Sequence, residues 1–275
     1  MTSAVSNQTI LRQLTEGDAE PVLVAEFRAW TTAPRLSRLL GGQAGGHPIY
    51  QVDPVGVLSG DRRYLPVRDL AAAAVGEFLA SGPAGGHVFI VGHCSASALS
   101  LHVARLLEAS RDVTAILLGP VWPDEEHVRS RFAEALSNFR VPDRPCPALD
   151  GDPDTAVARM EQVLKEELDA LAASRGVNGA AKAFGELLAW HRGWLAFLLA
   201  CHNDPPIAWE NAATEVIALS RSTADVNVPG LSQDAYQRYQ APVLSEEDPI
   251  TPELAACVLA QLRRSPSITA KETIQ

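Results

Sequence analysis

Residues 88–107 read Val88-Phe-Ile-Val-Gly-His-Cys94-Ser-Ala-Ser-Ala-Leu-Ser-Leu-His-Val-Ala-Arg-Leu-Leu107. Residues 88–91 are a short β-branched and aromatic run of the kind that forms a buried strand. From Ala96 onward apolar residues recur at helical spacing, with Ala98, Leu99, Val103, Leu106 and Leu107 on one face. Gly92-His93-Cys94-Ser95-Ala96 lies between. A strand that turns at once into a helix presents the middle residue of the turn at the carboxyl edge of a sheet, and the first helical amides point at whatever binds there. This spacing predicts a nucleophile elbow, G-x-Nuc-x-G, with Cys94 at the nucleophile position and Ala96 replacing the last glycine. Amides and dipole at the helix start favour a thiolate. The alternative is that Cys94 is a small buried hydrophobe.

Working outward, residues 21–27 (Pro-Val-Leu-Val-Ala-Glu-Phe) and 47–52 (His-Pro-Ile-Tyr-Gln-Val) read as strands before the elbow, and 113–118 (Val-Thr-Ala-Ile-Leu-Leu) as the strand after it. Short helices are expected over 33–40 and 66–79, with a turn at 41–46 and a loop at 53–56. The glycine-rich 41–46 lacks the Lys-Ser/Thr of a phosphate loop. Strands alternating with helices at this spacing indicate an α/β fold with a mostly parallel central sheet covered on both faces, which binds ligands at the carboxyl ends of its strands. The loop at 119–124, including Trp122, would sit there beside Cys94.

Residues 124–209 break the rhythm. Helices are expected over 125–138, 155–174 and 180–201, an all-helical insertion in one 1–275 domain, placed as a lid over the ligand edge. Phe184, Leu187, Leu188, Trp194 and Leu198 form an apolar stripe that either lines a channel or packs the insertion on the core. The sheet resumes at 214–219, a weak last strand is expected at 243–244, and 252–264 reads as a closing amphipathic helix. Residues 1–20 look like a surface lead-in.

Composition narrows the classes. The 275 residues are 47% hydrophobic and carry a formal charge of -10, which lacks the cationic surface a nucleic-acid partner requires. No apolar run approaches the ~18 residues of a membrane span. The first residues lack a basic start followed by an apolar core, so a secretory signal is not expected. Cys94, Cys146, Cys201 and Cys257 are too scattered for a zinc site or a disulfide framework, which implies reduced thiols, a cytoplasmic setting and no metal.

Taken together, residues 48–54 (Pro-Ile-Tyr-Gln-Val-Asp-Pro), the helix at 67–79 and the run 86–118 resemble the thioesterases of nonribosomal peptide and polyketide assembly, a branch of the α/β-hydrolase superfamily. The resemblance spans about residues 21–264. It implies an α/β-hydrolase fold, a helical lid, and acyl chemistry on a thioester borne by the phosphopantetheine of an acyl or peptidyl carrier protein, without a cofactor of the enzyme's own. Family members carry serine where this chain has Cys94. Their acid follows either of two strands: at the first this chain has Gly119, with Asp124 nearby, and at the second Asp225. Their histidine precedes the final helix, where this chain has Glu246, Glu247 and Asp248 and no histidine. The oxyanion would be held by the Ser95 amide and one near Phe27 or Arg28.

Three accounts follow. Cys94 is the nucleophile of a hydrolase, acyltransferase or cyclase, because thiols need a base less than alcohols do. Water would then need a base, such as Glu247, Asp248, or His191 or His202 from the lid. Alternatively, a carboxylate under an apolar lid, its pKa raised by burial, acts as acid or base on a bound intermediate in an elimination or rearrangement. In the third, the chain is an inactive accessory that binds a carrier protein. His93 is expected to form pocket wall, because neighbours at a tight elbow point apart; Trp122, Phe184, His191 and Trp194 are the other candidates for contacting the small-molecule substrate.

Overall fold

The computed structural model describes residues 9–27, 34–60, 63–139, 144–176, 181–204, 213–222, 226–242 and 250–264. In chain order the elements are β1 (Leu11–Gln13), β2 (Val22–Ala25), α1 (Leu36–Gly41), β3 (Ile49–Val52), α2 (Pro54–Leu58), α3 (Val67–Ser81), β4 (His87–His93), α4 (Ala96–Leu107), β5 (Asp112–Leu118), α5 (Glu125–Asn138), α6 (Pro153–Arg175), α7 (Ala181–Asn203), β6 (Glu215–Ser220), β7 (Gln237–Gln240) and α8 (Pro252–Leu262). The strands form one sheet in the order β1-β3-β2-β4-β5-β6-β7. Among the described residues only the β1–β3 pair is antiparallel.

The central strands are apolar on both sides because both faces are covered. In β4, Val88 and Ile90 enter the core beneath α3, α4 and the helices that follow β5, whereas Phe89 and Val91 enter the core beneath α1 and α8. Each of these four side chains is at most 2% exposed, and burial of each contributes about 1.5–3 kcal/mol. The expected α/β architecture is therefore present, with α5, α6 and α7 inserted between β5 and β6.

Several local expectations change. Residues 53–56, expected as a loop, begin α2: Pro54 takes the first helical position and the Asp53 carboxylate accepts from the Gly56 amide at 3.0 Å. The lead-in contains β1, whose residues 11–13 pair with β3. Among the described residues the last strand is β7 at 237–240; the weak strand expected at 243–244 lies outside the described residues. Leu106, assigned to the inner face of α4, is 44% exposed. Asp124, the spare acid, is a helix cap whose carboxylate accepts from the His127 amide at 2.8 Å. The α6 boundaries follow from Asp152 capping Thr155, Pro153 at the first position and Gly176 at φ 61°.

The insertion is tied to the body at two places. Gly193 of α7 packs so closely on α2 that an added Cβ would lie 2.8 Å from the Val55 carbonyl oxygen. Beside it, Arg192 donates from Nη2 to the carbonyls of Ser59 and Gly60, both at 2.6 Å, and from Nη1 to Glu161 Oε1 at 3.0 Å. Among the described residues no helix is long and apolar enough to cross a membrane.

Candidate active site

Strand β4 delivers the chain to the carboxyl edge of the sheet and only two residues separate it from α4, which forces the turn expected at Cys94. Its φ is 50°, and it is the only non-glycine residue with positive φ among the described residues. A non-glycine residue in this region is strained, a condition found at sites where the surroundings over-determine the backbone. Three hydrogen bonds hold it: Cys94 N donates to Leu118 O at 2.9 Å, while Ser97 N and Val121 N donate to Cys94 O at 3.0 and 3.3 Å. Gly92 has to be glycine, because a Cβ there would fall on Ser100 and within 2.9 Å of the Ser97 Cα of α4. At position 96 alanine is accommodated, fully buried at the first helical position.

Two expectations about the elbow are corrected. The Cys94 side chain is 0% exposed, not presented at an open edge. The end of α7 rests on the turn, with Cys201 Sγ 3.9 Å from the Ser95 carbonyl oxygen, and Phe197 of α7 meets Phe27 at a ring separation of 5.3 Å. The second correction concerns His93. Its Nε2 lies 3.3 Å from Cys94 Sγ. Positive φ at Cys94 swings its side chain back toward that of its predecessor, so these neighbours converge.

The register places another group beside this pair that the sequence reading passed over. Ala25 is paired with Gly92 at the end of the β2–β4 ladder, and Glu26 and His93 are the residues that follow each. By the two-residue alternation of strands, Glu26 and His93 share the sheet face covered by α1 and α8. Glu26 is 3% exposed. Its Oε1 accepts from the Ser37 hydroxyl and from Gln51 Nε2 (3.2 Å), and its Oε2 from the Ser37 amide (3.3 Å). Burial nevertheless dominates and pushes the carboxyl up to about 6; the bonds from Ser37 pull the other way. The available signal was one acid ending an otherwise apolar strand, Pro-Val-Leu-Val-Ala-Glu.

The other expected residues fall in different surroundings. Ser95 is fully buried at the N-cap position of α4, and Phe27 is half-buried. Trp122 donates from Nε1 to Asn227 O at 2.6 Å and forms part of a cleft of about 150 Å³ between α4 and the end of α7. Phe184 and Trp194 pack against the core on which the insertion rests, Trp194 stacked on Trp190 at 5.4 Å. His191 is corrected as a base or substrate contact for the elbow. It is 5% exposed, edge-on to Phe139 and Trp190. Ten residues of helix, about 15 Å, separate it from Cys201. Its burial without a compensating charge pushes the imidazole down to about 4. His202, in contrast, lines the cleft. Arg28, Asp225, Glu246, Glu247 and Asp248 lie outside the described residues. Gly119, at one family position for the acid, has φ 49° and donates to Leu219 O. Among the described residues no three His, Cys, Asp or Glu side chains converge as a metal site requires.

No family model and no curated protein sequence matches the chain. Its fold is similar to solved structures. A four-domain nonribosomal peptide synthetase bound to AMP and glycine superposes with a TM-score of 0.59 at 12% identity, over 92% of this chain and 20% of that one. A putative α/β hydrolase family protein from Desulfitobacterium hafniense gives 0.54 at 15% identity, over 92% and 98% of the two chains. The Vlm2 thioesterase domain bound with a dodecadepsipeptide gives 0.53 at 16% identity, over 94% and 100%. This chain thus spans about a fifth of the synthetase's length. The fold is α/β-hydrolase-like.

Proposed function

We propose that the protein is a thioesterase-like acyl-transfer enzyme, with Cys94 as acyl acceptor and a carrier-bound thioester as donor. The observation that carries this reading is the thiol–imidazole contact at the elbow: a nucleophile-position sulfur with a nitrogen 3.3 Å away. The family's later histidine becomes unnecessary. His93 accepts the thiol proton, Cys94 attacks the thioester carbonyl, and the proton passes to the departing thiolate. Oxyanion stabilisation falls to the amides at the start of α4 and after β2. Glu26 supplies a buried carboxyl on the same face of the sheet as the imidazole. The insertion acts as a lid, and because Cys94 is fully covered, transfer requires the end of α7 to lift from Ser95. Asp225, Glu247 and Asp248 remain candidates for the acid and for the base that would activate water. The setting is the reducing cytoplasm, where the thiol stays available.

A second reading is favoured by Glu26 itself. A buried carboxyl with a pKa of about 6 can hold or take a proton near neutrality, as an elimination or rearrangement without a covalent intermediate would need.

Intact-protein mass spectrometry after mixing with a panel of small-molecule and carrier-bound acyl thioesters tests the first reading. Wild type gains the acyl mass and Cys94→Ala loses the adduct mapped to residue 94. The lifetime of that adduct in water or with amines separates hydrolase from transferase. Turnover retained in Cys94→Ala and lost in Glu26→Gln would replace the first reading by the second.

A further inference from the structure

The cleft beside the elbow contains chemistry that the Cys94 reading leaves unused. It is bounded by Ala98, Leu101 and His102 of α4, Trp122 and Pro123 after β5, and Cys201, His202 and Asp204 at the end of α7. Leu101 and His102 lie three and four residues after Ala98 and so flank it on one side of α4. From the opposite wall α7 contributes Cys201, and Asp204 follows at the same end. Cys201, His102, His202 and Asp204 therefore all border the same open space of about 150 Å³, with an apolar side formed by Val67, Leu101 and Trp122. Asp204 is fixed in place, accepting from the Arg68 amide at the start of α3 at 3.1 Å. Its charge also reaches His102, although burial has the larger effect and lowers the imidazole's pKa, which keeps it neutral and able to accept a proton at pH 7. Holding the start of α3 accounts for Asp204 alone. It does not account for a thiol and two imidazoles gathered on the same space.

We propose that this cleft is a second thiol site, in which Cys201 accepts an acyl group from a thioester with His102 as its proton acceptor and Asp204 orienting the imidazole. This rests on the acyl-thioester reading given above and extends it to a different sulfur. The step is a thiol–thioester exchange: the Cys201 sulfur bonds to the acyl carbon and the bond from that carbon to the donor sulfur breaks. The proton leaves Cys201 for His102 and passes to the departing thiolate, so acyl-Cys201 and a free donor thiol result with no net redox change. Ala98, Leu101 and Trp122 would hold an apolar acyl chain. The sulfur sits 3.9 Å from the Ser95 carbonyl, on the outer side of the turn that buries Cys94, so an acyl group at Cys201 is held next to the elbow without the elbow being opened.

Peptide mapping of the full-length protein after two treatments tests the inference: a medium-chain N-acetylcysteamine thioester, and iodoacetamide, which needs no acyl chemistry. In Cys94→Ala, the acyl adduct is expected on Cys201, and Cys94→Ala/Cys201→Ala is expected to have none. Iodoacetamide should label Cys201 faster than Cys257. His102→Gln should slow Cys201 acylation at least tenfold and shift its pH profile, with acylation of Cys94 in that variant unchanged. An adduct on Cys94 alone would overturn this inference and leave the proposed function standing. An adduct on Cys201 alone would support it and remove Cys94 from the mechanism. Iodoacetamide labelling of Cys201 without acylation of either cysteine by the thioester overturns both.

Discussion

The buried carboxyl of Glu26 should make stability fall with rising pH, and its size follows from its surroundings. In the unfolded chain the group titrates near the ordinary value of 4.5; in the fold, burial moves it to about 6. At about 1.4 kcal/mol per pH unit this difference corresponds to about 2 kcal/mol. The folded protein binds the proton more tightly than the unfolded chain. The associated stabilisation is therefore complete below pH 4.5 and is lost as pH rises through 6. Glu26→Gln removes the titration. Its carboxamide can still donate to the Ser37 hydroxyl and accept from Gln51 or the Ser37 amide. Urea unfolding at half-unit steps from pH 4 to pH 8 measures the difference in free energy between wild type and variant, and all other titrating groups cancel in that difference as far as distant sites are additive. Relative to Glu26→Gln, wild type should lose about 2 kcal/mol across the range, most of it between pH 4.5 and 7. A flat difference would show that Ser37 and Gln51 fully offset the burial. A difference of opposite slope would mean that they hold the group as a carboxylate, and the physical account of this corner would be wrong.

His191 acts in the other direction. Its folded pKa of about 4 lies below the ordinary 6.5, so its contribution is complete above pH 6.5 and is lost as pH falls toward 4, in total about 3 kcal/mol. His191→Phe, an aromatic of similar size beside Phe139 and Trp190, should therefore lower the midpoint pH of acid unfolding; an unchanged midpoint would refute it. Arg192→Met removes three charge-assisted hydrogen bonds between α7, α6 and the end of α2 and should cost about 2–4 kcal/mol in urea unfolding. Arg192→Lys should recover less than half of this, because an ammonium cannot reproduce the fork.

Features that depend on a single segment and its immediate neighbours were legible in the sequence. The run Val88-Phe-Ile-Val is apolar on both faces, so it had to be a central strand, and the abrupt change to helical spacing after Cys94 left only one kind of turn. Gly92 is placed by the same local logic, since α4 starts on top of it. The insertion was legible because helical periodicity recurs over 125–138, 155–174 and 180–201. The edge strands were not. Residues 11–13 and 237–240 are mostly polar, exposed at most positions, and become strands because a neighbour offers a ladder of unpaired amides and carbonyls, which their short, mixed pattern does not announce.

The candidate site divides along the same line. Cys94 at the elbow could be read from spacing, whereas its burial, the approach of His93 and the environment of Glu26 could not. Each depends on groups brought together from distant segments: α7 lying on the turn, Ser37 and Gln51 arriving at one carboxyl from two elements, and Cys201 and His102 bordering one cleft from about 100 residues apart in the chain. Local periodicity encodes which face of an element is apolar. Only the tertiary structure decides which faces meet, and with them the desolvation and proximity that set what a thiol, an imidazole or a carboxyl can do.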